Sequence, residues 1–356
     1  MTRTGLLIAP CLCIAWMACS SSRHGMGDYK VALVPSRAGQ HGIFSMNSDT
    51  SGGKLLTSDP SAQLRTFSWS PDGSKIAFFA FRAGDADIRA SYRMPLHYPL
   101  YTMDATGGNQ KRLLHFPVSS FQWSPSGREI LFVSAYEDPA HDDPAVVRGK
   151  KSPMSAIYLL DLKTGEQRRV TSFGQNCSGA WSPDGTQLAL SFGAQDESDI
   201  YTASLDGRHT RRITDSQAVY VRPAYSPDGR SLAYVSVAPQ PGVYVVDAAG
   251  TGPRRVSDTS VFEVTWSPDG RSLLLQSAAG ISLTDVAGGK SINLTPGVGR
   301  PLDAVFTPDG REVMFRSNHE GDWQLYAVDL GGANLRRVTG SLSASAFCLS
   351  PLLSKK

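Results

Sequence analysis

Apolar residues in this chain come in short runs separated by turns rich in Gly, Pro and Asp. One class of run is apolar at nearly every position: Lys75-Ile-Ala-Phe-Phe-Ala-Phe81, Glu129-Ile-Leu-Phe-Val133, Ser231-Leu-Ala-Tyr-Val235 and Ser272-Leu-Leu-Leu275. A strand with both faces apolar is packed between neighbouring sheets. A second class ends in Asp: Ala156-Ile-Tyr-Leu-Leu-Asp161, Asp199-Ile-Tyr-Thr202, Gly242-Val-Tyr-Val-Val-Asp247 and Gln324-Leu-Tyr-Ala-Val-Asp329. A third is short and basic: Lys111-Arg112, Arg168-Arg169, Arg211-Arg212, Arg254-Arg255 and Arg336-Arg337. Lys and Arg on an exposed outer strand block edge-to-edge pairing, and the Asp closing the preceding strand offers them a partner. A ring of nucleic-acid contacts is the alternative reading of these pairs.

The three classes follow one another in a fixed order, each time after the same phrase. Its copies are Trp69-Ser-Pro-Asp-Gly73, Trp123-Ser-Pro-Ser-Gly127, Trp181-Ser-Pro-Asp-Gly185, Tyr225-Ser-Pro-Asp-Gly229, Trp266-Ser-Pro-Asp-Gly270 and Phe306-Thr-Pro-Asp-Gly310. The aromatic residues are 54, 58, 44, 41 and 40 apart, and a degenerate copy at Phe347-Cys-Leu-Ser-Pro351 follows 41 residues later. The aromatic ends a first strand; Pro presets φ, Asp bonds the local backbone and Gly takes the left-handed conformation of the turn. Four short strands every 40–45 residues or so are the signature of a β-propeller.

Residues 30–57 read as second, third and fourth strands without a first, and residues 342–351 as a first strand without the rest. Joined, they complete one blade. The fold expected is an all-β, seven-bladed propeller over residues 29–351, closed by pairing its N-terminal strands with a C-terminal strand. If the last segment hangs free, the count is six. Residues 352–356 form a tail.

Net charge is +3, falling to +2 without residues 1–18, whose only charge is Arg3. That is too mild to indicate nucleic acid. Residues 1–18 carry Arg3 and the apolar stretch 6–18, too short to span a bilayer as a mature helix. The stretch ends at Ala18-Cys19, followed by Ser20-Ser21-Ser22, and resembles the lipobox of bacterial lipoproteins. That resemblance implies a diacylglyceryl group on Cys19, a linker over 19–28, and export to the periplasmic side of the outer membrane. An ordinary secretory signal giving a soluble product is the alternative. Cys11 and Cys13 leave with the signal. Cys177 and Cys348 fall on well-separated blades and are expected as two buried free thiols. The sequons at Asn176 and Asn293 mean little in a bacterial lipoprotein.

The repeat, aromatic-Ser-Pro-Asp-Gly, then Ile-Tyr-x-x-Asp, Gly-Gly and a basic pair, resembles the units of the TolB propeller family across residues 29–351. The resemblance implies the fold and a protein- or peptide-binding scaffold role. Related repeats occur in sugar-acid lyases and in the non-catalytic halves of peptidases. The family's namesake has an α/β domain before a six-bladed propeller, whereas residues 20–28 alone separate Cys19 from the first strand here.

No Gly-x-Ser-x-Gly elbow, phosphate loop or His-Glu-x-x-His motif occurs, so no catalytic residue is assigned. Three candidate binding regions stand out. A long loop at about 83–98 carries Arg89, Tyr92, Arg93, His97 and Tyr98, suited to stacking on sugars or a peptide and to pairing with carboxylates. A longer one, 136–155, carries Glu137, Asp138, His141, Asp142 and Asp143; with Asp196, Glu197 and Asp199 next door it is open to Ca²⁺, although no cofactor is otherwise expected. Third, Arg222, Glu263 and Asp303 stand three residues before the turn aromatic in consecutive units, at the expected channel mouth. The equivalents elsewhere are Thr66, Ser120, Ser178 and Ala344. An ion-pair network and a binding site are the two readings of these charges. The expected function is that of a monomeric, non-enzymatic, lipid-anchored envelope protein that holds a protein or peptide. The alternative is a binder or lyase of acidic polysaccharide.

Overall fold

A computed structural model of the chain describes residues 29–35, 42–57, 64, 66–82, 85, 98–135, 154–172, 174–194, 197–214, 218–339 and 343–351. The strands follow in groups. The first group is β1 (Lys30–Val34), β2 (Ile43–Asn47) and β3 (Lys54–Thr57). Next come β4 (Phe67–Trp69), β5 (Lys75–Phe79), β6 (Leu100–Asp104) and β7 (Lys111–Arg112), then β8 (Ser120–Trp123), β9 (Glu129–Ser134), β10 (Ala156–Asp161) and β11 (Gln167–Arg169). The middle of the chain gives β12 (Gln175–Trp181), β13 (Gln187–Gly193), β14 (Ser198–Ser204) and β15 (Thr210–Arg212), then β16 (Val219–Tyr225), β17 (Ser231–Ala238), β18 (Gly242–Asp247) and β19 (Arg254–Ser257). Last are β20 (Val261–Trp266), β21 (Ser272–Ser277), β22 (Gly280–Asp285) and β23 (Ser291–Asn293), then β24 (Leu302–Phe306), β25 (Glu312–Ser317), β26 (Gln324–Asp329), β27 (Arg336–Arg337) and β28 (Ala346–Leu349).

These strands make an all-β propeller of six hydrogen-bonded sheets, five of four strands and one of eight. The expectation of seven blades, with six as the alternative, is corrected: five four-stranded sheets stand as separate blades beside the one eight-stranded sheet. In the eight-stranded sheet, β12–β15 and β16–β19 are each antiparallel runs, and one parallel pair, Ser198 with Val219, joins them. Ser198 makes that junction with its backbone and its side chain: its N–H donates to Ala218 O (3.0 Å) and its hydroxyl to Tyr220 O (2.8 Å). The apolar cluster at this seam is small, built on Ala189, Ile200, Leu232, Tyr234 and Val246.

The turn phrase works as its letters predict. In each turn the Ser or Thr hydroxyl accepts the N–H five residues on, Lys75 to Ser70 and Ser231 to Ser226 at 2.9 Å each. Where the turn carries Asp, it donates to that carboxylate, Ser226 to Asp228 at 2.6 Å. The turn glycines have φ near +70°, a region L side chains rarely adopt. From the second copy on, each turn also lies over the proline of the preceding one: a Cβ built on Gly185 would sit 3.2 Å from Pro125, and one on Gly310 3.4 Å from Pro268. A further repeated tie joins the fourth strand to the third. Thr171, Thr214, Thr295 and Thr339 accept the N–H of Ile157, Ile200, Ile281 and Leu325, each at 3.0 Å.

The short basic strands are exposed, as expected. Their partners differ from those expected. The Asp closing each third strand serves its own turn: Asp161 accepts the N–H of Lys163 and Thr164, and Asp329 those of Gly331 and Ala333. The arginines pair with other acids, Arg168 with Glu129 (3.6 Å) and Arg336 with Glu312 (2.7 Å).

The ring closes where the sequence implied. β28 pairs antiparallel with β1, with Val31 opposite Leu349 and Ala32 opposite Cys348. Val31, Leu33, Phe347 and Leu349 pack towards the β24–β27 sheet, while Ala32, Val34 and Cys348 pack towards β4–β6. Cys177 and Cys348 are free thiols on different sheets, the first half-buried and the second buried. Because the strands alternate in direction, the Ser-Pro-Asp-Gly turns and the third-to-fourth-strand turns share one face. The second-to-third-strand loops and the connections between units share the other.

Candidate functional site on the inner strands

The first strands lie innermost: β12 lies against β16, β16 against β20, and β28 against β4. In four consecutive units the first strand slips register against the second. The slips fall between Gln175 and Ser178, Val221 and Ala224, Val261 and Glu263, and Leu302 and Val305. Such a bulge leaves one residue unpaired and re-aims a side chain. Arg222 and Asp303 occupy two of the slips with φ of +57° and +55°. Non-glycine residues in that region are strained, and such strain gathers at functional sites.

The three mouth charges do not form one cluster. Arg222 Nη1 donates to Glu263 Oε2 at 2.7 Å across two units, and the residues are only 9% and 5% exposed. The Arg222 N–H also donates to the Ser178 hydroxyl (3.2 Å), which lies 2.7 Å from that of Ser191. Gln276, on the strand beside Glu263, accepts the Ala304 N–H at 3.0 Å. Polar contacts therefore join β12 to β16, β16 to β20 and β21 to β24, with Glu263 and Gln276 paired in register between the last two links. Asp303 turns instead to Arg316 within its own sheet, and the Arg316 guanidinium lies 4.8 Å over the Trp323 ring. At the same end, Phe262 and Val237 are exposed at 41% and 38%. Charge, aromatic faces and exposed apolar surface thus meet on the loop face, at strand ends rather than on loops.

Of the loop candidates, Tyr98 is placed: it packs on Phe79 (5.7 Å) and Phe81 (5.4 Å) and bridges to Val118, so it belongs to its sheet's packing. Arg89, Tyr92, Arg93, His97, Glu137, Asp138, His141, Asp142, Asp143 and Cys19 lie outside the described residues. Asp199, grouped by sequence with a Ca²⁺-type cluster, is committed to Arg212 (2.5 Å) and Thr214 (2.6 Å). Among the described residues no three His, Cys, Asp or Glu side chains stand together as metal ligands.

Sequence reasoning missed Asp85. It is 1% exposed and accepts from the Tyr101 hydroxyl (2.6 Å), the Arg82 N–H (2.7 Å) and Arg112 (3.2 Å). Burial, then the bond to Asp85, pushes the Tyr101 phenol well above its usual range. Arg112 sits opposite Tyr101 in register, as Arg212 does Tyr201 and Arg337 does Tyr326. Asp199 and Glu320 serve the other two arginines, whereas Arg255, opposite Tyr244, donates to the Pro241 carbonyl, so the repeated Tyr–Arg pair marks where an acid can be used without requiring one.

The TolB beta propeller domain family matches residues 89–282. The chain belongs to the TolB propeller family. The Tol-Pal system protein TolB of Francisella tularensis subsp. mediasiatica is 28% identical over 276 residues, covering 73% of this chain and 60% of that protein. An uncharacterized peptidase of Bacillus subtilis, YuxL, is 28% identical over 203 residues, 56% of this chain and 29% of the relative. The chain therefore spans less than two thirds of the length of either relative. Among solved structures, an oligogalacturonate lyase in complex with manganese superposes with a TM-score of 0.61 at 18% identity, over 82% of this chain and 83% of the lyase. At that identity the likeness is one of fold.

Proposed function

We propose that this TolB-family chain is an exported, lipid-anchored propeller of the bacterial envelope. In this reading it holds a protein or peptide partner on its loop face and does no chemistry of its own. Cys19 carries the lipid on the periplasmic side of the outer membrane, residues 29–351 form the propeller, and the protein is a monomer.

The observation that carries the reading is the strained, bulged placement of Arg222 and Asp303 on inner strands, with Phe262 exposed near the loop-face end of the inner strand between them. A purely structural ring has no need of charged residues at φ near +55° on its innermost strands. Membership of the family that includes a Tol-Pal system protein supports a binding role over a catalytic one. The test is partner capture in the native envelope by the intact protein and by two loop deletions. The first deletion spans residues 87–96, so that buried Asp85 stays in place. The second spans 137–154. Loss of capture with an unchanged melting temperature is expected. Full capture by both variants and by Phe262→Asp would exclude this face.

A further inference from the structure

We infer that the Ser-Pro-Asp-Gly face of the propeller is turned towards the phospholipid bilayer, so that the bulged inner-strand ends and the long loops point away from it. This inference rests on the proposed lipid at Cys19. Its structural basis is where the chain enters the ring. β1 is the second strand of its sheet, and it begins beside the last turn of the chain. The Lys30 N–H donates to the Ser350 hydroxyl (2.7 Å), and the Ser350 N–H donates to Lys30 O (2.8 Å). Ser350-Pro351 is the degenerate copy of the turn phrase, so the chain enters on the turn face.

Length does the rest. Cys19 to Lys30 is 11 residues, which reach about 37 Å when fully extended. To bring the opposite face to the lipid, that segment has to pass outward over β2 and β3, about 10 Å at strand spacing, and then along a six-residue strand height of about 20 Å. Some 30 Å would be consumed before any loop or headgroup was crossed, with the segment fully stretched. With the turn face inward the distance to be crossed is well within that reach, and no conformational entropy need be lost to stretching.

Charge does not compete with this geometry. Arg128, Arg230, Arg271 and Arg311 follow the turn glycines and are exposed on that face. All but Arg128 have a turn Asp beside them, Asp228, Asp269 or Asp309, so most of these local charges offset one another. Orientation follows from the point of attachment and not from attraction to anionic lipid.

The test uses the full-length lipidated protein in vesicles of phosphatidylethanolamine and phosphatidylglycerol. Single cysteines for a fluorophore are introduced as Ala249→Cys, exposed in the β18–β19 turn, or Ala279→Cys, exposed in the β21–β22 turn, with Cys177 replaced by Ser. Headgroup spin-labelled lipid is the quencher. Quenching at position 249 is expected to exceed that at 279 several-fold, and to be unchanged when phosphatidylglycerol is omitted. Vesicle-bound protein with equal or reversed quenching overturns the orientation alone. Failure to float with vesicles, with Cys19→Ala no different from wild type, overturns the lipid reading and the orientation with it.

Discussion

Arg222 and Glu263 share one buried contact across two units, which makes their substitution informative. Removing one partner leaves an uncompensated charge, and breaking a buried pair costs about 3–5 kcal/mol. Glu263→Leu alone is therefore expected to destabilise strongly, and Arg222→Met with Glu263→Leu much less than the sum of the single changes. A double-mutant cycle by urea denaturation measures the difference; strict additivity would show that the pair is not coupled. The turn serines act on a second kind of charge. The hydroxyl of Ser182 holds the Asp184 carboxyl below its usual range, and that of Ser226 does the same for Asp228. A carboxyl whose folded pKa lies below its unfolded value, about 4, contributes stability that is full above that value. The contribution is lost as pH falls through the folded pKa. Melting temperature should therefore drop below roughly pH 4. Ser226→Ala should cost about 1 kcal/mol at neutral pH and move the Asp228 titration upward, measured by NMR. An unmoved Asp228 pKa would mean that the backbone amide alone sets it.

At the scale of strands, what could be read beforehand was what each strand carries within itself. Lys54–Thr57, Ala156–Asp161, Gly242–Asp247 and Gln324–Asp329 have the bounds that their apolar runs and closing turns announce. The closure of β28 on β1 was legible too, because the strands missing at one end are those present at the other. The bulges were not, since a slip depends on register against the partner strand and neither strand shows it alone. The same limit hid the turn of Asp303 to Arg316, and it hid Asp85, whose role depends on a Tyr and an Arg on other strands. Closure gives its own prediction. Val31 and Leu349 face each other across β1 and β28, and facing strand residues lie within disulfide reach. The double change Val31→Cys and Leu349→Cys, once oxidised, should stabilise the ring by up to about 5 kcal/mol, the loop-entropy figure for closing a very long loop. Thermal melts with and without reductant read the gain; none in a confirmed disulfide would mean that opening the β1–β28 seam is not part of unfolding.

For the whole molecule, repeated turns and the apolar clusters between neighbouring sheets make a ring, and the ring sets two faces with different chemistry. The turn face is the more regular, most of its carboxylates folded back onto their own backbone, although Asp104 pairs with Lys75 and Leu335 is exposed there. The loop face carries the irregularities: the bulged charges, Trp323 beside Arg316, exposed Phe262 and Val237, and the bases of the two long loops. The partner binding proposed above would accordingly use the loop face. The most direct measurement is site-specific photocrosslinking in living cells of the native host, with the crosslinking residue at Phe262 on one face or Ala249 on the other. A defined crosslinked envelope protein from position 262, absent from position 249 and weakened by the 87–96 deletion, is the expected result. The same adduct from both positions, or an adduct from position 249 alone, would contradict it.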